Sequence, residues 1–183
     1  MVRLIVASVF FCCLVSSSSV VMADTIIKKG KLMGSLTFSP GYLVKEDKGM
    51  VSLHGFVQYF VSDRLALRAG GFGFLTGLSE NEDIQHNHQG FLGLFYHLPL
   101  GSFVPYIGVQ PGFGLFQAQD GCCTSPLRVS PLVSGTVGMS YMGKSWFFAF
   151  LEAKYVYGVS TSAGFRLYDL SECKVSFGLG GHW

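Results

Sequence analysis

The chain has 183 residues, of which 49% are hydrophobic and only 13% are charged, about half the charged fraction of an ordinary soluble domain. The length fits one domain, and the formal net charge of +2 gives no electrostatic basis for binding nucleic acid. A mean hydropathy of +0.42 is high for a small soluble protein. Beyond residue 23, however, no stretch of about 18 apolar residues predicts a membrane helix. Together these features favour a transmembrane β-barrel, in which apolar residues alternate with others along each strand.

Residues 1–23 have the organisation of a secretory signal peptide. Arg3 provides the positive charge, residues 4–15 form the apolar segment, and small residues lead to Ala23. We expect cleavage after Ala23, which leaves residues 24–183 as the mature chain. An uncleaved membrane anchor is the alternative.

After the leader, apolar residues alternate with a period of two in eight segments, and no helical periodicity occurs. The predicted strands cover residues 31–43, 50–61, 65–78, 90–100, 103–117, 128–142, 146–159 and 171–183. We therefore predict an all-β fold, an eight-stranded antiparallel up-and-down transmembrane β-barrel.

Each predicted strand has one apolar row and one mixed row. In the seventh strand Leu151 and Tyr155 belong to the apolar row, whereas Glu152 and Lys154 belong to the other. The mixed rows are rich in Ser, Gly, Thr, His and Phe, which suits the interior of a narrow barrel better than a water-exposed surface. The apolar rows are therefore predicted to face lipid, and a soluble ligand-binding barrel is the less favoured alternative.

The predicted connections alternate between short and long. Residues 62–64, 101–102 and 143–145 form the short ones, and residues 44–49, 79–89, 118–127 and 160–170 form the long ones. Outer-membrane barrels have short periplasmic turns and longer external loops, so we expect both termini to be periplasmic. Pro111 lies inside the fifth predicted strand, where we expect it to mark a bulge.

Three segments carry a family resemblance. Residues 59–68 read YFVSDRLALR, residues 104–114 read VPYIGVQPGFG, and the chain ends in a strand with apolar residues at alternating positions. With these segments the chain resembles the small outer-membrane barrels of the OmpA/OmpX type, the outer membrane protein β-barrel domain group. The resemblance implies that Val175, Phe177, Leu179 and Trp183 are the signal read by the barrel-assembly machinery. The final Trp replaces the Phe of most members.

The polar residues of the mixed rows are the candidate site, a lumen network. They are His54, Gln58, Arg68, His97, Gln110, Glu152, Lys154 and Lys174. Charges in so narrow a lumen need partners, so we expect a structural plug in which Arg68 or a lysine neutralises Glu152. The alternative is a polar pathway for small ions or solutes, gated by Glu152 changing partners.

Residues 79–89 are the most polar segment. His86 and His88, with Glu80, Glu82 and Asp83, could bind a divalent metal. His-x-His in a loop is a weak signal, and a solvated loop is the preferred interpretation. We predict no metal and no cofactor.

Three cysteines remain in the predicted mature chain. Cys122 and Cys123 lie in the third long connection, and Cys173 lies near the start of the last strand. Cys173 could bridge to either of the other two, or the adjacent pair could form a strained bridge. No pairing is preferred.

Some barrels of this architecture modify lipid A, and such enzymes need a serine activated by a histidine and an acid. No His-x-Ser pairing like that of the deacylases occurs. Ser79 with a histidine of residues 79–89 and Asp83, or Ser160 with Asp169, are combinations expected by chance. We predict that the protein is not an enzyme.

The predicted function is that of a bacterial outer-membrane barrel with a structural or surface-interaction role, a side-chain-filled lumen and four external loops. A narrow, porin-like diffusion pore is the first alternative, and a lipid A-modifying hydrolase or acyltransferase is the second. The expected partners are outer-membrane lipid, lipopolysaccharide, the barrel-assembly machinery and an unspecified partner of the loops. We expect no nucleic acid and a monomeric barrel.

Overall fold

The computed structural model describes residues 27–44, 48–77, 84–120, 123–124, 127–143, 146–160, 168–169 and 171–183. The predicted signal peptide, residues 1–23, lies outside the described residues. No helix in this part of the chain is long and apolar enough to cross a membrane.

Ten strands make up the described fold. They are β1 (Leu32–Leu43), β2 (Lys48–Phe60), β3 (Leu65–Gly77), β4 (Ile84–His97), β5 (Phe103–Asp120), β6 (Cys123–Thr124), β7 (Arg128–Met142), β8 (Phe147–Ser160), β9 (Tyr168–Asp169) and β10 (Glu172–His182). Eight of them are long. The two-residue strands β6 and β9 pair with the ends of β5 and β8.

The eight long strands close into a barrel. Each pairs antiparallel with the next long strand along the chain, and β10 pairs with both β8 and β1. Closure leaves none of these strands as a free edge, as spanning a lipid bilayer requires. The predicted eight-stranded antiparallel up-and-down barrel is confirmed.

The two faces of the strands follow the predicted rows. Along β7 buried and exposed residues alternate over most of the strand. On the outside, large apolar side chains such as Leu36 and Phe38 are 68% and 64% exposed, while Phe60 and Phe148 of the mixed rows are fully buried inside. Side chains in a strand alternate between its faces, so this local pattern determines the outer and inner surfaces.

The strand boundaries differ most at β4, which begins at Ile84 and not at residue 90. The polar residues 85–89 had indicated a loop. In the structure, Asn87 and Gln89 are buried and point into the lumen, where their side-chain amides donate hydrogen bonds to Glu172. β5 is also longer than predicted and continues to Asp120.

The prediction of a bulge at Pro111 is wrong. Pro111 faces Val133 in an unbroken β5–β7 register, and the β4–β5 register keeps the same offset on both sides of Pro111. Proline lacks an N–H donor, so it can interrupt a ladder without adding a residue. The irregularity of the β4–β5 pair lies at Ile84–His86 instead.

The barrel has two distinct ends. The turn end carries the connections 61–64, 98–102 and 143–146, the start of β1 and the end of β10; the loop end carries the other four connections. The predicted length alternation holds except for the first loop-end connection. It spans only residues 44–47, and is thus as short as the turn at 61–64.

Candidate functional site

The structure places all eight sequence-predicted lumen residues inside the barrel. Each is at most 5% exposed: His54, Gln58, Arg68, His97, Gln110, Glu152, Lys154 and Lys174. They divide into two groups, one in the half of the lumen near the turn end and one in the half near the loop end.

An apolar cluster, here called the turn-end plug, fills the first half. Its members are Ile27, Met33, Phe56, Phe60, Ala66, Phe95, Val104, Tyr106, Met142, Phe148 and Phe150. Inward glycines make room for the rings, since a Cβ atom on Gly108 would lie 2.5 Å from the ring of Phe95. The aromatic rings of the plug therefore pack against the backbone of inward-facing glycines.

The segment before β1 closes the turn end. Ile27 is 1% exposed and packs into the plug. A turn at Gly30, with a φ of 89°, returns the chain to the barrel, where Gly30 N donates to Phe60 O at 2.8 Å. Lys29 N donates to Asp63 Oδ1 at 2.9 Å. The strand pattern gave no signal for this closure, because Ile27 precedes every predicted strand.

Arg68 and Glu152 form a buried ion pair beside the plug. Arg68 Nε also donates to Gln58 Oε1 at 2.8 Å, and Gln58 Nε2 donates to His97 Nε2 at 3.1 Å. The hydroxyl of Tyr106 donates to Glu152 Oε2 at 3.0 Å. The pair thus belongs to a connected hydrogen-bond network that crosses the lumen.

Aromatic rings enclose the Arg68 guanidinium. Its central carbon lies 4.1 Å from the ring centroid of Phe56 and 3.9 Å from that of Phe95, and Tyr106 lies at 5.0 Å. A planar, weakly hydrated guanidinium stacks well on such faces. The rings therefore keep water from the ion pair and hold the guanidinium in place.

Glu172 is the centre of the second group. Lys174 Nζ lies 2.6 Å from Glu172 Oε2, Asn87 Nδ2 donates to Oε1, and Gln89 Nε2 donates to Oε2 at 3.0 Å. Gln89 Nε2 also donates to Asn87 Oδ1 at 2.9 Å. Both oxygens of this carboxylate are therefore bound.

Lys154 lies on the loop-end side of Glu152. Its Nζ donates to Gln110 Oε1 at 2.8 Å and lies 4.7 Å and 5.0 Å from the ring centroids of Phe91 and Phe72. These two rings belong to a second apolar cluster of Phe72, Phe91, Phe116, Leu132 and Val156.

Four members of the network were not predicted from the sequence. Asn87 and Gln89 had been assigned to a loop, although they alternate in phase with the inward Phe91. Glu172 shares the phase of Lys174, and Tyr106 shares that of Gln110. Extending the period-two pattern through polar residues could have identified all four.

The other candidate residues are described only in part. His86 and His88 stack side by side, with centroids 5.6 Å apart, on the outer face of β4. In the part of the chain that is described, no three His, Cys, Asp or Glu side chains are grouped to hold a metal. Ser79, Glu80, Glu82 and Asp83 lie outside the described residues. β8 and β9 pair the backbones of Ser160 and Tyr168, and of Val159 and Asp169.

Cys173 is a free cysteine on the exposed face of β10. Cys123 begins β6, and Cys122 lies outside the described residues. The structure therefore shows no bridge from Cys173 to another described cysteine.

Three residues of the expected assembly signal form an exposed row on β10, and Trp183 follows directly after this strand. Their exposed fractions are 45% for Val175, 64% for Phe177, 67% for Leu179 and 72% for Trp183.

Several solved structures share this architecture. The N-terminal β-barrel domain of OprF from Pseudomonas aeruginosa matches with a TM-score of 0.65 and 15% identity, covering 85% of this chain and 98% of that one. The chain has the fold of the small outer-membrane β-barrels. The outer membrane protein OprG of the same organism matches with a TM-score of 0.65 and 15% identity over 87% and 98% of the two chains. Neisserial surface protein A matches with a TM-score of 0.62 and 13% identity over 82% and 95%.

No protein-family model matches the sequence, and no curated protein matches it either. The similarity to the solved barrels is therefore one of fold. At that level the expected resemblance to barrels of the OmpA/OmpX type is confirmed.

Proposed function

We propose that the protein is a sealed barrel of the bacterial outer membrane with a structural role, which holds its loop-end connections at the cell surface. The turn-end plug is the observation that carries this proposal, because its buried side chains pack together inside the barrel and the Arg68–Glu152 pair joins the opposite strands β3 and β8. A filled eight-stranded barrel leaves room for side chains but not for a water column.

Conductance distinguishes this role from that of a narrow diffusion pore. We expect the mature chain, cleaved after Ala23, to give no stable single-channel steps in planar bilayers. A Glu152→Gln variant is the matched control, because it alters the polar network and keeps the side-chain volume. Stable steps that disappear in Glu152→Gln would identify the pore and contradict a sealed barrel.

Membrane insertion follows from the exposed apolar rows. We expect Leu36→Arg to make folding into lipid vesicles less favourable by about 2–4 kcal/mol, because Leu36 faces outward near the middle of β1. Leu127→Arg, at the loop end, should cost only about 0–1 kcal/mol. The measurement is urea-dependent folding into vesicles. A mature chain that is monomeric in buffer without detergent would contradict the membrane assignment.

The proposed orientation has the turn end and both termini in the periplasm and the loop end in contact with lipopolysaccharide. An epitope inserted in residues 161–167 should bind its antibody on intact cells. The control epitope, inserted in the turn at 143–146, should bind only after the outer membrane is permeabilised. Reversed accessibility would contradict this orientation.

Trp183 tests the proposed role of the last strand in assembly. We expect Trp183→Ala to reduce the heat-resistant folded fraction in the outer membrane several-fold, because the assembly machinery would read this residue. Trp146→Ala is a matched control, since Trp146 has the same 72% exposure. The rings of both tryptophans lie near Gly181, each 3.5 Å from the position that a Cβ atom would take there. Equal losses in the two variants would assign the effect to the membrane interface instead.

The lipid A-modifying alternative has a direct test. Mass spectrometry of lipid A from cells with and without the protein should show the same acylation pattern. A pattern that changes with the protein would replace the structural role with an enzymatic one.

A further inference from the structure

The described lumen contains more buried cations than carboxylates. Arg68, Lys154 and Lys174 are the cations, and Glu152 and Glu172 are the carboxylates, so three positive charges face two negative ones. Arg68 pairs with Glu152, and Lys174 pairs with Glu172. Within the described residues, no carboxylate pairs with Lys154. A buried ammonium group without a counter-charge is strongly destabilising.

The strand register places two of these three cations on neighbouring strands. Lys154 of β8 lies directly opposite Lys174 of β10, and like charges at such positions repel one another. Both ammonium groups approach the ring of Phe72, at 5.0 Å and 4.7 Å from its centroid. Both oxygens of Glu172 already accept hydrogen bonds from Lys174 and two amides. Lys154 and Lys174 thus both lie near Phe72 on paired strands, and the carboxylate of Glu172 is already fully hydrogen-bonded.

Two unpartnered donors lie next to Lys154. Gln110 uses its oxygen to bind Lys154 Nζ, and its Nε2 has no hydrogen-bond partner. Thr136 is the direct cross-strand neighbour of Lys154, and its hydroxyl has no partner either. Gln110 is fully buried and Thr136 is 3% exposed. Buried polar groups normally have partners, and here an acceptor with a negative charge would satisfy both the donors and the cations.

We propose that this part of the lumen binds one small inorganic anion of halide size, held by Lys154 Nζ, Gln110 Nε2 and Thr136 Oγ1. A monovalent ion matches the surplus of one positive charge. Small size follows from the crowding of Lys154 Nζ, which lies 5.0 Å and 4.7 Å from the ring centroids of Phe72 and Phe91. The site extends beyond the proposed structural role and does not depend on it.

Bromide identifies such a site directly, because it replaces chloride and scatters anomalously. In crystals of the folded mature protein soaked in sodium bromide, we expect an anomalous peak within hydrogen-bond distance of Lys154 Nζ. The same soak of Lys154→Met crystals should show no peak there. Wild-type crystals without a peak beside Lys154 would overturn the proposal.

Anion-dependent stability provides a second measurement on the folded barrel in detergent. Replacing gluconate with chloride at constant ionic strength should raise the urea midpoint of the wild type. We expect Lys154→Met and Thr136→Val to lose this chloride dependence. Lys28→Met, which removes an exposed cation outside the lumen, should keep it. Equal wild-type midpoints in the two salts, or a chloride dependence that survives Lys154→Met, would overturn the proposal.

Discussion

The two halves of the lumen bury a carboxylate in different ways. In the turn-end half, Glu152 uses one oxygen for both Arg68 and Tyr106, while its Oε1 has no hydrogen-bond partner. In the loop-end half, both oxygens of Glu172 are bound. The turn-end carboxylate therefore depends on one cation, whereas the loop-end carboxylate shares its charge among a lysine and two amides.

The cations differ in the same manner. Rings stack on both sides of the Arg68 guanidinium inside the plug, and this dry environment strengthens the ion pair while it raises the cost of breaking it. Lys174 instead has a second lysine as its neighbour across the strands. We therefore expect the turn-end ion pair to tolerate the loss of one partner less well than the loop-end polar cluster does.

The largest effect is expected at the turn-end pair. Arg68→Met should lower the free energy of unfolding by about 3–5 kcal/mol, because it leaves the Glu152 carboxylate buried with only the Tyr106 hydroxyl as a donor. Urea unfolding in lipid vesicles measures the change. The double variant Arg68→Met with Glu152→Leu should recover most of the loss, and a loss below about 1 kcal/mol in the single variant would remove the contrast between the halves.

A smaller loss is expected from the loop-end carboxylate. Glu172→Gln keeps the shape of the side chain but removes the charge that binds Lys174, and should cost about 1.5–3 kcal/mol in the same assay. Asn87 and Gln89 donate to different oxygens of Glu172, so the single carbonyl oxygen of the variant keeps one of these two hydrogen bonds in place. If this variant loses as much as Arg68→Met, the loop-end cluster is no more tolerant than the turn-end pair.

The smallest effect concerns the packing of the plug. Gly138→Ala should cost about 1–3 kcal/mol, because the new Cβ atom would lie 2.5 Å from the Tyr106 ring and 2.8 Å from Leu151 O. Thermal unfolding in detergent compares the variants.

Two other glycines complete that comparison. Gly135→Ala, in the same strand, should be neutral, since nothing lies within 4 Å of the added atom. The Cβ atom of Gly114→Ala, in the loop-end half, would lie nearest to Leu132 Cδ1, at 3.0 Å, which is the end of a flexible side chain. We therefore expect a smaller loss than for Gly138→Ala. Equal losses at Gly138 and Gly114 would show that the plug is not the more tightly packed half.

The placement of the lumen residues could be predicted from the sequence only in part. Inward placement of Arg68, Glu152 and Lys174 was predictable, because each lies in phase with its strand's mixed row. The start of β4 was predicted wrongly, because the polar residues at 85–89 resemble a loop, although Asn87 and Gln89 alternate in phase with Phe91 and bind Glu172 inside the barrel. The closure of the turn end by Ile27 was not predictable either, since it depends on packing and not on alternation.

The sequence alone determined the strands, their two faces and the closed antiparallel barrel, because a period of two is a local property that each segment carries by itself. Only the tertiary structure decided which buried charges meet. Arg68 and Glu152 are 84 residues apart, and Asn87 and Glu172 are 85 residues apart. Their pairing depends on the register of strands brought together by closure. Alternation within a strand excludes shifts of one residue, but it does not distinguish registers that differ by two residues and so does not say which inward side chains meet.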